Sequence, residues 1–341
     1  MAKIKALALF SGGLDSALAI KVVQEQGIEV IALNFVSHFF GGVNEKAEYM
    51  AKQLGIQLEY IHFEKRHMEV VKDPVYGRGK NMNPCIDCHS LMFRIAGELL
   101  EKYGASFLIS GEVLGQRPMS QNPQALEKVK KLSGVGDLIL RPLSGKLLPP
   151  SLAETEGWIQ REGLLDINGR GRSRQMELMD HYGLVDYPSP GGGCLLTDPA
   201  YSIRLKTLEE DGLLDHEYAD LFSLIKISRF FRFEKGRYLF VGRDQISNEK
   251  IDEIRRNREG SFYIYSFETP GPHMIAFGEL TEEEKNFSRK LFSRYSKAKG
   301  KLQIKLNVSG KIEELDPISV EEIEKEMKKY IEKTDKFRGD F

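Results

Sequence analysis

Three cysteines and one glycine-rich loop are the residues of this chain whose types and spacing favour chemistry. Cys85 and Cys88 lie in the segment NPCIDCH, residues 83–89, and Cys194 comes much later in the chain. A C-x-x-C pair is typical of zinc sites, thioredoxin-like redox pairs and iron–sulfur ligands, and C-x-x-C-H is typical of c-type haem attachment. The second segment, SGGLDS at residues 11–16, directly follows an apolar run and is rich in the residue types that contact phosphate.

The composition is that of an ordinary globular chain of 341 residues, with 41% hydrophobic and 29% charged residues and a net charge of −1. This balance excludes a global basic field, so any contact with nucleic acid has to come from local patches. The apolar run near the N-terminus is too short for a signal peptide, and no run approaches the ~18 apolar residues of a membrane span. We therefore expect a cytoplasmic protein with no membrane partner. Because an odd number of cysteines argues against a disulfide framework, metal binding or catalysis is the expected role of the thiols.

Strand and helix patterns alternate over residues 1–145, which predicts an α/β fold with a parallel sheet and helices on both faces. The strand patterns cover 4–10, 30–36, 58–63, 106–110 and 138–143, and the helix patterns cover 14–26, 44–54, 89–103, 151–161 and 173–182. These elements place SGGLDS between the first strand and the first helix.

The pattern of predicted strands and helices changes near the middle of the chain. The run from Tyr187 to Cys194 is rich in proline and glycine, which is typical of a loop at a domain boundary. Beyond it, helical patterns mix with short aromatic strands, and a charged helix is predicted over 319–333. We therefore predict an α/β domain over 1–185, a glycine-rich linker carrying Cys194 over 186–205 and a smaller α+β domain over 206–341.

The glycine-rich loop favours an anion site. Gly12 and Gly13 let the backbone approach a phosphate closely, and the amides and dipole of the helix that follows attract negative charge. Ser11 and Ser16 can donate hydroxyl hydrogen bonds. Asp15 is unfavourable beside an anion unless a cation lies between them, so we expect Mg²⁺ next to it. The loop is neither a Walker A loop nor a G-x-G-x-x-G turn, and the alternative is an ordinary capped turn between strand and helix.

SGGLDS resembles the PP-loop of the N-type ATP pyrophosphatases, enzymes that adenylate a carbonyl oxygen and release pyrophosphate. SGEVLGQRPMSQN, residues 110–122, is similar to the T-G-E-x-L-G-Q…S-Q segment of the tRNA 4-thiouridine synthases. LILRPL and MFRIA resemble a strand and a helix of that family, so the resemblance covers about residues 4–145. It implies an ATP site formed by Phe10, Ser11, Gly12, Gly13, Asp15, Ser16, Asn34, Phe35, Arg94, Gly111 and Gln121. Core packing is the alternative role of the two phenylalanines.

The cysteines depart from the 4-thiouridine synthases, which usually lack C-x-x-C. NPCIDC instead resembles the N-P-C-x-x-C segment of tRNA 2-thiouridine synthases and of iron–sulfur-dependent tRNA thiolases. In the second group a third cysteine follows much later, as Cys194 does here. The resemblance implies a [4Fe–4S] cluster held by Cys85, Cys88 and Cys194, with one iron left without a protein ligand.

Two other roles of the cysteines stay open. Zinc could take the three thiols and His89 as a Cys₃His set, although adjacent Cys88 and His89 make awkward joint ligands. Without a metal, Cys85 or Cys88 could carry a persulfide and resolve it as a disulfide. The cytoplasmic context argues against haem, and His89 by itself is expected to be the first residue of the following helix.

Three basic segments favour contact with RNA. KISRFFRFEKGRYLF, residues 226–240, interleaves cations with aromatic rings, which suits phosphate contact combined with base stacking. Residues 285–305 and RGRSR, residues 170–174, add two further basic segments. VGRDQISNEK, PGPH and RYSKAKG also resemble the C-terminal RNA-binding domain of the fibronectin-binding-like ribosome quality-control proteins. The alternative for each basic segment alone is a solvated face above core aromatics.

Together these features predict an ATP-dependent tRNA sulfurtransferase that adenylates a uridine carbonyl and replaces its oxygen with sulfur. The sulfur donor is expected to be external, either sulfide or a persulfide carrier such as a cysteine desulfurase, and a homodimer stays open. One alternative is a pyrophosphatase of the same superfamily that activates a small carbonyl substrate without RNA. Another is an RNA-binding protein with a regulatory ATP site and structural zinc.

Overall fold

The computed structural model describes residues 3–42, 45–185, 193–297, 304–315 and 320–331. The chain divides into two compact units, Met1–Thr197 and Asp198–Phe341. The division falls within the predicted linker 186–205, of which residues 186–192 lie outside the described residues. Among the described helices, none is both long enough and apolar enough to cross a membrane.

The first unit contains a parallel sheet with the strand order β3-β2-β1-β4-β5. Its strands are β1 (Lys5–Leu9), β2 (Glu29–Val36), β3 (Gln57–His62), β4 (Phe107–Ser110) and β5 (Ile139–Leu140). Its helices are α1 (Leu14–Gln24), α2 (Glu45–Leu54), α3 (Glu64–Lys72), α4 (Cys85–Glu98), α5 (Leu100–Tyr103), α6 (Pro123–Ser133), α7 (Leu152–Thr155) and α8 (Ser173–His181).

The residues of β1 show how the sheet is covered on both faces. Ala6 and Ala8 belong to one apolar cluster with α1 and α2, whereas Leu7 between them belongs to a second cluster with Phe93 of α4. Successive side chains of a strand point to opposite faces, so the two clusters lie on opposite sides of the sheet. This arrangement confirms the predicted α/β fold with helices on both faces.

Three predicted elements have different bounds in the structure. The strand predicted over 138–143 is only β5, because a 3₁₀ segment, Pro142–Leu147, begins at a proline that has no N–H for a sheet ladder. The helix predicted over 151–161 is only α7, which ends before Gly157 in the left-handed region at φ 71°. The helix predicted to begin at His89 begins at Cys85, so the C-x-x-C segment forms its first turn.

The second unit contains an antiparallel sheet with the strand order β11-β10-β8-β9-β7-β6. Its strands are β6 (Arg229–Glu234), β7 (Arg237–Val241), β8 (Tyr263–Tyr265), β9 (Met274–Phe277), β10 (Ile304–Val308) and β11 (Lys311–Leu315). Its helices are α9 (Pro199–Glu210), α10 (Ala219–Ile227), α11 (Gln245–Arg256), α12 (Glu282–Tyr295) and α13 (Val320–Ile331). Helix α13 lies within the charged helix predicted over 319–333, whose remaining positions lie outside the described residues.

The aromatic residues of segment 226–240 form part of the core of this unit. The rings concerned are those of Phe230, Phe231, Phe233, Tyr238 and Phe240, and each is at most 3% exposed. Buried rings cannot stack on nucleotide bases, so the prediction that this segment contributes base stacking is wrong. In the basic segment 285–305, residues 298–303 lie outside the described residues.

The loops that follow the parallel strands meet at the carboxyl edge of the first sheet. At this edge Gly111, just after β4, lies directly against the first turn of α1. A Cβ atom at Gly111 would lie 2.6 Å from Ser16 N and 2.7 Å from Asp15 C. Glycine is therefore required for the loop after β4 to approach the SGGLDS loop this closely.

The Gly111→Ala substitution tests this close approach. Because the added methyl group meets backbone rather than a movable side chain, we expect a loss of about 1–3 kcal/mol in the free energy of unfolding, measured with urea. Gly171→Ala is the matched control, since a Cβ there meets no atom within 4 Å and its φ lies outside the left-handed region. Equal stability of the two variants would contradict the packing described here.

Candidate functional site

The SGGLDS loop has the geometry of an anion cradle. Gly12 has φ 77°, and a Cβ there would lie 2.7 Å from Ala47 Cα, so only glycine fits. The hydroxyl of Ser16 donates to Gly13 O at 2.8 Å, and Gly13 N donates to Ser11 Oγ at 3.3 Å. Helix α1 begins after Gly13 without a side-chain cap. The amides of its first turn therefore suit a bound anion, as the sequence predicts.

Asp15 in this loop is held by two side chains from elsewhere in the unit. Gln116 Nε2 donates to Asp15 Oδ2 at 2.8 Å, and Arg172 Nη2 lies 3.4 Å from both carboxylate oxygens. Gln175 Nε2 donates to Gln116 Oε1 at 3.1 Å and extends the network. Asp15 must exchange at least part of this set to bind a cation, and the Mg²⁺ expected beside it stays a prediction.

The sequence pattern predicts that Arg172 belongs to a basic segment that contacts RNA. In the structure its guanidinium lies beside Asp15. Gly169 N donates to Leu114 O at 2.7 Å, which places the segment before Arg172 against the loop after β4. Arg174 in the same RGRSR segment pairs with Asp166. Composition alone cannot reveal this role, because the segment lies more than 150 positions from Asp15.

Two buried amide side chains at the carboxyl edge have an oxygen atom without a partner. Asn34, 4% exposed, donates through Nδ2 to Phe10 O at 3.0 Å, while its Oδ1 accepts no hydrogen bond. Gln121, 6% exposed, likewise has an unpartnered Oε1. Buried polar atoms are nearly always paired in folded proteins, so these two acceptors suit donors of a bound ligand.

The remaining residues predicted to bind ATP have mixed surroundings. Phe10 and Phe35 are buried in the two apolar clusters, and Phe35 packs edge-on against Phe63 with ring centroids 5.3 Å apart. Arg94 on α4 is exposed and donates to the carbonyl oxygen of Leu132 in α6. These positions satisfy the core-packing alternative for the two rings, and a direct ATP contact of Phe10, Phe35 or Arg94 stays a prediction.

The first turn of α4 positions the C-x-x-C pair. Asp87 between the two cysteines is 3% exposed and accepts hydrogen bonds from Val75 N at 2.6 Å and Tyr76 N at 3.1 Å. Asn83 Nδ2 donates to Cys85 Sγ at 3.1 Å. The carboxylate thereby fixes the preceding loop on the helix, and the asparagine orients one thiol.

Cys194 is brought near this pair by two hydrogen bonds made by residues that follow it. Leu195 N donates to Phe39 O at 3.0 Å, in the loop after β2. Asn81 Nδ2 donates to Thr197 O at 2.7 Å, from the segment just before the C-x-x-C pair. The three cysteines are free thiols and interact electrostatically with one another.

The environment of the thiols disfavours their charged forms. Burial raises the pKa of Cys88 well above its usual range, and the neighbouring charges of Cys194, Cys85 and Asp87 raise it further. Burial also raises the pKa of Cys194 to about 11, and Cys85 adds to the increase. A bound metal or metal cluster would offset this cost. Within the described residues, which include all three cysteines, no group of three or more His, Cys, Asp or Glu side chains is arranged to hold a metal ion.

His89 belongs to a buried network that ties the cysteine helix to the ends of two strands. Its Nδ1 lies 2.8 Å from Glu112 Oε1, and Arg141 Nε donates to Glu112 Oε2 at 2.9 Å. Glu112 directly follows Gly111, which contacts the SGGLDS loop. The expectation that His89 is only the first residue of a helix is therefore wrong, since it lies within α4 and contacts Glu112.

Glu112 is ionised at neutral pH despite its burial. Burial by itself raises its pKa, but the charge of Arg141 and the hydrogen bond from His89 outweigh burial and lower the pKa from 4.5 to about 2. A lowered carboxyl pKa stabilises the fold above the unfolded-state pKa. This contribution is fully present above about pH 4.5 and disappears as the pH falls towards 2.

The Glu112→Gln substitution tests this network. Because it leaves the buried Arg141 without a counter-charge, we expect a loss of about 3–5 kcal/mol in the free energy of unfolding at pH 7, measured with urea. The difference from the unsubstituted protein should shrink as the pH falls below 4.5. Glu98→Gln is the matched control, because Glu98 pairs with Arg66 at the surface and should cost about 1 kcal/mol or less. A similar loss for both variants at pH 7 would refute the central role of Glu112.

Two family models match the chain, one in each unit. Residues 2–146 match the family described as thiamine biosynthesis protein (ThiI). Residues 228–331 match the NFACT protein RNA binding domain. The first match contains the SGGLDS loop, the C-x-x-C pair and Gln121, and it ends before Arg172 and Cys194.

Curated relatives match part of the chain. A probable tRNA sulfurtransferase of Thermococcus kodakarensis is 30% identical in an alignment of 151 residues that covers 41% of this chain and 37% of the relative. The tRNA-specific 2-thiouridylase MnmA of Sulfurimonas denitrificans is 36% identical in an alignment of 121 residues that covers 32% of this chain and 35% of the relative. The chain thus spans little more than a third of the length of these relatives.

A solved structure described as a 4-thiouridine synthetase–RNA complex with bound ATP covers 65% of this chain and 53% of its own, at 21% identity and a TM-score of 0.37. The residues matched by the ThiI family model, 2–146, contain the parallel sheet and the SGGLDS loop. These residues are less than half of the chain, and the curated relatives are similar to this chain over little more than a third of their own length.

Proposed function

We propose that the chain is an ATP-dependent tRNA sulfurtransferase. One observation carries the proposal: a continuous set of contacts joins the cysteine helix to the PP-loop within one unit. His89, next to Cys88, contacts Glu112, and Gly111 lies directly against the first turn of α1. A thiol that delivers sulfur and a loop that activates the acceptor have to be close to the same substrate atom, and this arrangement supports that requirement.

The polar groups at the start of α1 and around it support ATP binding by the first unit. The amides of the α1 N-terminus and the hydroxyls of Ser11 and Ser16 would hold the phosphates, and Asp15 would bind Mg²⁺ after giving up part of its present contacts. The unpartnered oxygens of Asn34 and Gln121 would accept hydrogen bonds from the nucleoside. A uridine carbonyl oxygen would then attack the α-phosphate, forming an adenylated base and releasing pyrophosphate. Positioning and charge neutralisation would supply most of the acceleration.

Sulfur would displace AMP from the adenylated base. The chemistry of three neighbouring soft thiols, those of Cys85, Cys88 and Cys194, supports a [4Fe–4S] cluster, and their side chains would have to rearrange to hold it, since in the described residues they form no metal-binding group. Such a cluster would supply an iron without a protein ligand on which sulfide can bind. This chain's own contribution is the placement of the thiols by Asn81 and Asn83, with an external donor as the source of sulfur.

The target base has to leave its stack to reach the site. The curated relatives named as tRNA sulfurtransferase and 2-thiouridylase support tRNA as the substrate, and the match of residues 228–331 to an RNA-binding domain supports RNA contact by the second unit. Activation of a small carbonyl compound is the competing function, and it predicts full AMP formation without RNA.

Gln121→Leu separates ligand binding from folding. Because the substitution removes a buried acceptor that has no partner, we expect an unchanged or increased free energy of unfolding together with a loss of about 1 kcal/mol in ATP binding, measured by calorimetry. Gln57→Leu, at an exposed position of β3, should leave ATP binding unchanged. Unaltered ATP affinity of Gln121→Leu would remove this residue from the site.

Asp15→Asn and Cys194→Ser separate the two chemical steps. We expect Asp15→Asn to slow AMP formation about 100-fold or more, because it removes an electrostatic contact at the reacting phosphates. Cys194→Ser should still release pyrophosphate and leave the base adenylated, but it should transfer no sulfur to tRNA, as read by mass spectrometry of its nucleosides. Asp137→Asn, at a carboxylate that is 80% exposed, is the control and should behave as the unsubstituted protein. Thiolation by either site variant at the unsubstituted rate would refute the mechanism.

Metal analysis of anaerobically purified protein decides how the thiols work. About four irons with sulfide and a brown colour are expected for the cluster, and Cys194→Ser should lose them. One zinc without iron would contradict the cluster and favour a structural site. If the protein contains no metal and Cys85 or Cys88 gains one sulfur atom, the sulfur is carried as a persulfide and not on a cluster.

A further inference from the structure

A pocket of about 670 Å³ in the second unit has no role in the activity proposed above. Its walls come from the segment that joins β7 to α11, from the turn before β9 and from the end of α12. The volume is in the range of small-ligand sites. The cationic side chains that line it are Arg229, Arg243 and Lys297.

Two glycines keep this pocket open. A Cβ atom at Gly242 would lie 1.9 Å from Asn248 Oδ1, and a Cβ at Gly271 would lie 2.7 Å from Phe292 Cζ. Asn248 also binds the opposite wall, since its Oδ1 accepts from His273 N at 2.9 Å and its Nδ2 donates to Gly271 O at 3.2 Å. The pocket is thus built from a braced turn rather than from surface side chains alone.

The acidic groups of the pocket are engaged within the protein. Asp244 accepts from Ser247 N at 2.8 Å as the cap of α11, and Glu249 accepts from Gln245 Nε2 at 2.8 Å. Asp252 lies 3.0 Å from His273 Nδ1 and 3.4 Å from Arg255 Nε. Arg243 and Lys297 are exposed. Because Asp244 already caps the N-terminal end of α11, we assign the contact with a phosphate to the exposed cations Arg243 and Lys297 and not to the helix end.

An aromatic surface adjoins the pocket at His273. Tyr265 lies 5.5 Å from His273 between ring centroids, and it also contacts the rings of Tyr263 at 5.9 Å and Phe267 at 4.8 Å. Arg255 lies over Tyr263 and Tyr265, at 4.8 and 5.3 Å from their centroids. Phe267 at the end of this row is 76% exposed. We call the row of Tyr263, Tyr265 and Phe267 the aromatic row.

We propose that the pocket and the aromatic row form one binding site for single-stranded RNA, with a phosphate in the pocket and a base stacked on Phe267. Every base has a π-face that stacks on an exposed ring, and cations beside such a ring bind the backbone. Duplex RNA hides its base faces, so it fits the row poorly. The proposal uses the proposed function only for the choice of RNA as partner.

The test is the binding of a short, fluorescently labelled single-stranded RNA to the full chain, measured by anisotropy. Phe267→Ala should raise the Kd about fivefold to 150-fold, the change that removal of one stacking ring produces. Ile312→Ala is the matched control, because Ile312 is 62% exposed on β11 and lies outside the row, and its Kd should be unchanged. Thermal melting of both variants checks that each is folded.

The pocket is tested by salt dependence. The double substitution Arg243→Gln with Lys297→Gln should weaken binding and should lower the slope of log Kd against log salt by roughly 1.4, since each lost phosphate contact on a single strand contributes about 0.7. An unchanged slope, unchanged binding by Phe267→Ala, or equal affinity for a duplex of the same length would each overturn the proposal.

The sulfurtransferase function and the RNA site of the second unit can each be refuted without refuting the other. RNA binding that depends on Phe267 in a chain that forms no AMP and transfers no sulfur would refute the sulfurtransferase function and support this site. Thiolation of tRNA by a chain whose RNA affinity ignores Phe267 would overturn this site and support the sulfurtransferase function.

Discussion

The first unit depends on one buried carboxylate. Glu112 would be costly to bury alone, and only the charge of Arg141 and the contact with His89 keep it ionised. These three side chains come from the loop after β4, the end of β5 and the first half of α4. Their pairing therefore sets the position of the cysteine helix relative to the sheet. Gly111, one residue earlier, lies directly against the backbone of the SGGLDS loop. The position of that loop therefore depends on the same network.

Several polar groups of the candidate site are only partly satisfied by the protein, or are held by its own side chains. Two buried amide oxygens, of Asn34 and Gln121, have no hydrogen-bond partner, and Asp15 is held by a cation of the protein itself. The pKa values of Cys88 and Cys194 are raised chiefly by burial and also by the charge of neighbouring thiols, so the thiolate forms are disfavoured in this fold. Such groups cost stability in the folded protein, and local features of this kind are common at functional sites.

Aromatic side chains of the second unit lie in two different environments, the buried core and the aromatic row at the surface. The rings of segment 226–240 fill both faces of the antiparallel sheet, where burial of large apolar surface stabilises the unit. The aromatic row instead lies beside cations at a turn, and its last ring is exposed. Alternation along β8 explains the difference, since Ile264 points into the core while Tyr263 and Tyr265 point away from it.

Local sequence determined much of this protein. The order of strands and helices, the parallel sheet and the glycine-rich turn between β1 and α1 all depend on short-range periodicity and on glycines at fixed offsets, so they could be predicted. Element ends were less predictable, as Pro142 and Gly157 show, because a proline or a left-handed glycine ends an element whose apolar pattern continues. Tertiary structure alone decided that Arg172 pairs with Asp15 and that His89 contacts a buried carboxylate, whereas the grouping of Cys194 with the C-x-x-C pair is already implied by resemblance. These are contacts between residues far apart in the chain, and their geometry follows from the packing of whole elements, which local patterns do not encode.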